Sequence, residues 1–502
     1  MNFRLILLSC TATLVSALAT MLFASPSYAE VGAYETEQVS WRSGDAEISG
    51  TLLTPEGEGP HPAVVLVHGS GPVTRSSLMT QPEIQGEGIA ESFAGAGITT
   101  LVYDKRGSGE STGGGDYTYD ELARDALGGV RLLRGRDDVD PDEVGLWGIS
   151  EGGWIVPLAA SRSDDVAFAV VVSASGYPPA SQELWAIRNN LDYSHAPKSL
   201  MDATTKAWKV VYGASALPVP ESARRALGNL HFDPVQYWRH VDQPVLAVYG
   251  AQDKAVPPSR SAVILEQTLS DGGNQDHRIL TFTDTSHSIL ISSNGFDYPP
   301  GKLRYTPGYL AAMSGWVLAE TDNGGPGISE SVLTETSGQT PASGPPLIDP
   351  DEVPFYGSAG IQVILIIVFV VVFACAVAVG AVSMLRRRRR EFLRTPGAES
   401  WVIPLTTAVC VLDLAVLIGF LAFISKVISV EGLGPPPLWT ALQALETLSV
   451  VLTVTLLAAT TAEIYQGTSM TLPGRTARLL VVASAILFVP FLLYWDLVFP
   501  GS

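Results

Sequence analysis

Four apolar segments near the end of this 502-residue chain constrain its fold most strongly, and they occupy residues 361–385, 401–425, 438–462 and 477–498. Each reaches the length of about 20 residues that a helix needs to cross the hydrocarbon core of a bilayer. Backbone polar groups in lipid must be satisfied within the segment, and a helix does this. The sequence therefore predicts an all-α membrane domain of four transmembrane helices over residues 361–502, with the lipid bilayer as its partner.

Basic residues predict how these helices are oriented. Five arginines, residues 386–390, follow the first segment, Arg475 and Arg478 lie just before and at the start of the last one, and the loop 430–437 has no basic residue. Loops rich in Lys and Arg stay in the cytoplasm. We therefore expect a multi-pass protein of the cell membrane, with a cytoplasmic polyarginine loop, an external C-terminus and an extracytoplasmic domain before residue 361.

The N-terminal segment supports the same orientation. Arg4 precedes an apolar run over residues 5–23, and small residues stand at Ser27 and Ala29. This pattern is typical of a secretory signal peptide, here residues 1–29, and an uncleaved anchor is the alternative. Residues 322–354 are rich in Gly, Pro, Ser and Thr, so residues 322–360 are predicted to be a flexible linker.

Charge and cysteine content limit the partners and the kinds of site that the extracytoplasmic part can have. Acidic and basic residues balance over residues 351–502, so the net charge of −19 belongs to the preceding part. An acidic surface argues against nucleic acid as a partner. The three cysteines are Cys10, Cys375 and Cys410, none of them in the mature extracytoplasmic part, and no two histidines have metal-ligand spacing. We predict no disulfide, no metal and no cofactor.

The pattern of residues 30–321 predicts an α/β domain. A predicted hairpin over residues 38–41 and 48–53 is followed by apolar runs at 63–67, 99–103, 144–149, 166–172, 245–249 and 279–282. Segments of helical period lie between them, at residues 84–95, 119–133, 151–161, 259–269 and 307–318. Continuous apolar strands that alternate with helices predict a mostly parallel sheet covered by helices on both faces.

This alternation stops over residues 176–243, a stretch that contains Trp185, Trp208 and Trp238. An insertion here lies over the carboxyl ends of the strands, where ligands bind in open α/β sheets. We interpret it as a helical cap that shapes a substrate pocket, and an ordinary packing subdomain is the alternative.

Gly148-Ile149-Ser150-Glu151-Gly152 lies between a predicted strand and a predicted helix. A serine on such a sharp turn has strained backbone angles and needs small neighbours two residues away on either side. The segment therefore predicts a nucleophile elbow with Ser150 as the nucleophile.

The base and the acid that a serine nucleophile requires also follow strands. Asp253 comes after the strand at 245–249, and His287 comes after the strand at 279–282, in the order Ser, Asp, His. Carboxyl ends of parallel strands meet at one edge of a sheet. We predict a catalytic triad of Ser150, Asp253 and His287, with Asp284 as the competing acid.

Two main-chain groups are candidates for the oxyanion hole. The loop His68-Gly69-Ser70-Gly71-Pro72 follows the strand at 63–67, and we assign the donors to the backbone nitrogens of Ser70 and Glu151. His68 is interpreted as a structural residue of this loop. The glycine-containing loop at residues 104–111 lacks the Gly-Lys-Ser/Thr of a phosphate loop.

Taken together, these motifs resemble those of the α/β-hydrolase superfamily over residues 37–320. The combination of residues 68–72, 104–109, 148–153 and 250–253 is similar to bacterial esterases of the EstD type and to serine aminopeptidase-like hydrolases. The resemblance implies the α/β-hydrolase fold, a triad of Ser150, Asp253 and His287, a covalent acyl-enzyme, no cofactor and a small-molecule ester substrate. The membrane domain departs from those mostly soluble enzymes.

The functional prediction is a membrane-tethered extracytoplasmic serine hydrolase, a carboxylesterase, and a peptidase or acyltransferase would use the same machinery. The alternative from another class is an inactive α/β-hydrolase fold that serves the membrane domain as a ligand-binding sensor. Asp413 and Glu446 lie inside predicted spans, where ionisable groups are costly. They mark either a proton or solute path or a hydrogen bond between anchor helices.

Overall fold

The computed structural model describes residues 33–297, 303–321, 327–328, 353–391, 402–428, 436–465 and 472–498. The predicted signal peptide and most of the predicted linker lie outside these residues.

An eight-stranded sheet, in the order β1-β2-β5-β3-β6-β7-β8-β9, forms the centre of the first domain. Strands β1 and β2 form an antiparallel hairpin, β2 is antiparallel to β5, and all the other neighbours are parallel. The eight strands are β1 Tyr34–Ser43, β2 Ala46–Pro55, β3 His61–Val67, β5 Thr99–Tyr103, β6 Val139–Ile149, β7 Ala169–Val172, β8 Val245–Gly250 and β9 His277–Phe282.

Burial on both faces explains the continuous apolar strands. In β3, Val65 and Val67 pack into a hydrophobic cluster on one side of the sheet. Val64 and Leu66, which alternate with them, pack into a second cluster on the other side. Successive side chains of a strand point to opposite faces, so a strand covered on both sides needs apolar residues throughout.

Helices cover both faces of the sheet, as predicted. Outside the cap they are α1 Ile89–Gly95, α2 Tyr119–Arg134, α3 Gly152–Ala160, α8 Pro258–Gly272 and α9 Tyr309–Glu320. Helix α2 begins with a capping box, in which the side chains of Thr118 and Glu121 each accept a hydrogen bond from the other's backbone nitrogen.

The helix predicted at residues 84–95 is shorter than expected. Ile84–Gln85 form a short strand, β4, that pairs in parallel with β10, Leu303–Arg304. Gly86 then has φ 112°, in the left-handed region that helices do not use. The helix therefore begins at Ile89.

Four helices connect β7 to β8 and fall within the predicted cap region. They are α4 Pro179–Tyr193, α5 Lys198–Gly213, α6 Glu221–Asn229 and α7 Val235–Trp238. Trp208 of α5 donates its indole N–H to the carbonyl of Ala180 at the start of α4 over 2.7 Å, which holds the first two helices together.

The C-terminal region is helical, as predicted. It contains α10 Ala359–Glu391, α11 Val402–Ile428, α12 Pro436–Tyr465 and α13 Leu472–Tyr494. Among the described residues, three helices have apolar stretches long enough to cross a membrane, namely Ala359–Leu385, Pro404–Ile428 and Pro437–Ala462. The fourth predicted span is also a helix, Leu472–Tyr494, and among the described residues its apolar part is Val481–Tyr494.

The cap packs against one end of this helical bundle. A single hydrophobic cluster contains Leu184 and Trp208 of the cap together with Phe420, Trp439 and Trp495 of the bundle. Polar contacts reinforce it. The Trp439 indole N–H donates to the Ser199 hydroxyl over 3.1 Å, and Lys206 pairs with Asp496.

Candidate active site

The turn around Ser150 leaves no room for larger neighbours. Ser150 has φ 56°, a conformation that costs a non-glycine residue energy and occurs at functional sites. A Cβ added at Gly148 would lie 2.6 Å from the carbonyl oxygen of Gly152, and one added at Gly152 would lie 2.6 Å from that of Val67. Glycine is therefore required at both positions, and Ser150 is held at the tip between β6 and α3.

Asp253 and His287 form a hydrogen-bonded pair at the same sheet edge. Asp253 is fully buried, and its Oδ1 accepts the backbone N–H groups of Ala255 and Val256 over 2.7 and 2.9 Å. Its Oδ2 accepts Nδ1–H of His287 over 2.8 Å. Gly250 permits this pairing, because a Cβ there would lie 2.1 Å from the carbonyl oxygen of Ser286.

The end of β7 links Ser150 to His287. The backbone N–H of Ser150 donates to the carbonyl of Val172 over 3.0 Å, and the Ser173 hydroxyl donates to the carbonyl of His287 over 2.7 Å. Within the part of the chain that the structure describes, no hydrogen bond joins the Ser150 hydroxyl to His287. Such contacts are often long before substrate binds.

Electrostatics favour the charged form of His287. Burial by itself would lower the pKa of this imidazole, but the charge and hydrogen bond of Asp253, with a contribution from Asp297, raise the pKa to about 9. An orienting carboxylate of this kind stabilises the imidazolium that forms when a histidine takes a proton from serine.

The predicted oxyanion donors are unpaired. Among the described hydrogen bonds, the backbone N–H groups of Ser70 and Glu151 donate to no acceptor. A Cβ placed on Gly69 would lie 3.4 Å from Cβ of Ser150, so the loop that carries Ser70 runs beside the elbow. Glu151 directly precedes α3, where the helix dipole adds partial positive charge.

A buried lysine, which the sequence analysis did not identify, connects the two segments that carry the predicted oxyanion donors. The ammonium of Lys105 donates to the carbonyl of Gly69 over 2.9 Å and to the carboxylate of Glu151. It also lies 4.5 Å from the ring centre of Tyr117. Burial opposes the charge of Lys105, but Glu151 and Tyr117 together outweigh burial and raise the pKa of the ammonium. Lys105 therefore holds the loop of Ser70 and the backbone of Glu151 in one arrangement.

Cap helix α4 also reaches the site. Gln182 donates to the carbonyl of Ala255, and Asn189 donates to that of Lys254 over 3.0 Å, so both side chains hold the loop of Asp253. Burial, aided by the charge of Glu151, raises the pKa of Glu183 to about 7. Helical pattern alone could not indicate these roles, because the partners lie more than 60 residues away.

Two other predicted candidates, His68 and Asp284, have partners of their own. His68 contacts the carbonyl of Tyr103 through Nε2, and burial lowers its pKa to about 4. Asp284 accepts a hydrogen bond from Gln252 over 3.0 Å, whereas Asp253 is the carboxylate bonded to His287.

The loop at residues 104–111 is held by internal ion pairs. Arg75 binds Asp104 over 2.8 Å, and Arg106 binds Asp125 through two hydrogen bonds of 2.7 Å. In the described ranges, no group of three or more His, Cys, Asp or Glu side chains could hold a metal ion.

Comparison with known proteins agrees with this fold. Residues 64–296 match the model of the alpha/beta hydrolase family, and the mostly parallel sheet of this part of the chain has the α/β-hydrolase fold. Esterase EstD of Thermotoga maritima is 28% identical over 282 residues, which are 55% of this chain. The alignment spans 64% of the length of EstD.

Two solved structures illustrate the likeness. The Pyrococcus furiosus esterase Pf2001 has a TM-score of 0.37 and 18% identity, with 51% of this chain and 84% of that chain covered. Est1E of Butyrivibrio proteoclasticus, solved with ferulic acid bound, has a TM-score of 0.38 and 16% identity, with 57% and 98% covered.

Proposed function

We propose that this protein is a membrane-tethered serine hydrolase that cleaves small carboxylic esters. The observation that carries the proposal is the Asp253–His287 pair at the sheet edge where Ser150 occupies a strained turn. EstD and Pf2001, two of the similar proteins, are named as esterases.

The chemistry proceeds in two halves. His287 takes the proton of the Ser150 hydroxyl as the oxygen attacks the ester carbonyl, and Asp253 stabilises the resulting imidazolium. The tetrahedral intermediate collapses as His287 protonates the leaving alcohol, which leaves an acyl group on Ser150. Water then attacks this acyl-enzyme with the same base, and the acid is released.

The oxyanion hole supplies the main electrostatic stabilisation. The unpaired N–H groups of Ser70 and Glu151 bind the oxygen that becomes negative. Lys105 keeps both donors in place and, because it is already paired with Glu151, does not itself take part in proton transfer.

The hydrolase domain is proposed to lie outside the cytoplasm. The arginines at 386–390 and the predicted signal peptide support this orientation. A reporter enzyme fused after Ser502 tests this orientation. A reporter that is active only outside the cytoplasm is expected to be active in this fusion. A C-terminal reporter that is active only in the cytoplasm contradicts the orientation.

Ester hydrolysis by the purified full-length chain in detergent tests the function. Short p-nitrophenyl esters are expected to be hydrolysed by the wild type and by the control Ser270→Ala, which changes an exposed serine on α8. Ser150→Ala is expected to lose at least about a thousandfold in kcat. Equal rates for Ser150→Ala and wild type would contradict the proposal.

A further inference from the structure

The helical bundle contains a polar face that the hydrolase reaction does not use. Five polar residues of α12 recur at intervals of three, three, four and seven residues, which places them on one side of the helix. All are buried: Gln443, Glu446, Ser449, Thr453 and Thr460. Apolar residues on other faces of α12, such as Leu448 and Val454, are about half exposed. The helix thus turns its polar side into the bundle and its apolar side outward.

Two carboxyl groups meet at this polar face. Asp413 of α11 and Glu446 of α12 are both fully buried, and the Ser449 hydroxyl donates to Oδ1 of Asp413. Oδ2 of Asp413 and both carboxyl oxygens of Glu446 have no hydrogen-bond partner in the described part of the chain. Three buried acceptor atoms therefore have no donor among the described residues. They belong to the helices Pro404–Ile428 and Pro437–Ala462, which are long enough to cross a membrane.

The two buried carboxyl groups favour a proton over a divalent metal as their ligand. Two buried carboxyl groups on one polar face are costly to keep ionised in an apolar surrounding, so at least one must bind a proton or a cation. A divalent metal needs about six or more oxygen ligands, and no cluster of three acidic, histidine or cysteine side chains occurs among the described residues. A proton needs only one carboxyl oxygen and an acceptor beside it.

Few other titratable groups face the pair. Cys410 lies one turn before Asp413 on α11 and is buried, and Lys426 lies about 20 Å further along that helix. On the neighbouring helix α10, Cys375 is the one titratable residue between Ala359 and Leu385. On α13, Tyr494 lies at the far end, against the cap lysine Lys206.

We propose that Asp413, Glu446 and Ser449 form a proton-binding site inside the membrane-spanning helices. One proton is held by the carboxyl pair, with the Ser449 hydroxyl fixing Asp413. Gln443, one turn from Glu446, donates to the carbonyl of Asp496 over 2.9 Å and to the hydroxyl of Ser199 over 3.3 Å. Gln443 thus links the end of this polar face to the cap.

Infrared difference spectroscopy of the full-length protein in lipid nanodiscs tests the site. The wild type is expected to show a carbonyl band of a protonated carboxyl group that is lost as the pH is raised. Asp413→Asn and Glu446→Gln, which preserve side-chain shape, should each remove or shift this band. Ser449→Ala should shift the pH at which the band is lost, because it removes the hydrogen bond to Oδ1 of Asp413.

Controls separate this site from the hydrolase reaction. Ser150→Ala should keep the band unchanged, and the two carboxyl variants should keep ester hydrolysis, which also shows that they fold. A wild type without a titrating carboxyl band, or a band that both carboxyl variants leave unchanged, overturns the proposal. Loss of the band on addition of Na⁺ at constant pH also overturns it, because the site would then bind a metal cation.

Discussion

At the scale of single residues, the protonation of His287 decides when the proposed reaction can occur. The imidazole must be neutral to accept the proton of Ser150, and its pKa is raised to about 9. We therefore expect kcat/KM to increase with pH through an alkaline limb, above the ordinary histidine range near 6.5. Asp253→Asn removes the charge that raises the pKa, so this limb should move to lower pH while the rate falls.

A pH–rate profile of both proteins with one p-nitrophenyl ester measures this effect. The profile should be corrected for hydrolysis without enzyme. A limb at the same pH in wild type and Asp253→Asn would show that His287 does not set it.

Lys105 offers a second prediction at this scale. Lys105→Met should lower kcat by about 10- to 100-fold with little change in KM, because the backbone donors of Ser70 and Glu151 lose their alignment with the oxyanion. The matched control is Lys198→Met, which removes an exposed ion pair on the cap. Steady-state kinetics measures both. An increase in KM at constant kcat would instead indicate a role in substrate binding.

Sequence order was enough to select Ser150, Asp253 and His287 as candidates, because each follows an apolar strand. The bond between Asp253 and His287 then depends on β8 and β9 being neighbours. Lys105 could not be selected in the same way, because its partners Gly69 and Glu151 come close to it only after β5, β3 and β6 have assembled side by side.

At the scale of elements, cap helix α4 makes contacts with both the helical bundle and the loop of Asp253. Leu184 and Ile187 pack into the hydrophobic cluster shared with the bundle, whereas Gln182 and Asn189 hold the loop of Asp253. On the same helix, Glu183 lies near enough to Glu151 for the two carboxyl charges to interact. One helix thus joins the bundle to the loop that carries Asp253.

Glu183 makes a testable contribution to stability. Its pKa is about 7 when folded and about 4.5 when unfolded, so the folded state binds more protons between these values and loses stability as pH rises through them. Glu183→Gln should therefore gain about 1 to 3 kcal/mol at pH 8 and nothing near pH 4.

Urea unfolding at both pH values measures this difference, with Glu221→Gln, an exposed carboxylate of α6, as the control. An equal gain at both pH values would mean that the carboxyl charge is not its cause.

The strands were the most predictable elements, because burial on both faces leaves a continuous apolar run that turns interrupt. The helix predicted from residue 84 was wrong at its start. There, pairing between Ile84–Gln85 and Leu303–Arg304 overrides the helical pattern, and the sequence contains no local signal for a partner more than 200 residues away.

At the scale of the whole molecule, the contact between cap and bundle joins the two domains. Trp439 is fully buried, stacks with Phe423 and donates to Ser199 of the cap. Composition predicted the two domains and the apolar helices, but a glycine- and proline-rich linker contains no information about which surfaces meet.

Trp439→Ala tests this contact. The loss of a buried indole and its hydrogen bond should destabilise the cap by about 3 to 5 kcal/mol. Ester hydrolysis should therefore be lost at a lower temperature than in wild type. Leu438→Ala, at the half-exposed neighbouring position, is the matched control. Identical inactivation curves for Trp439→Ala and wild type would show that the bundle does not support the cap.

Covalent labelling tests the central claim most directly. The full-length protein is treated with an alkyl fluorophosphonate, digested, and mapped by mass spectrometry. The account predicts one adduct, on Ser150, that is absent from Ser150→Ala and forms much more slowly in His287→Gln. No adduct on folded wild type, or an adduct on a different serine, would contradict a Ser150 nucleophile.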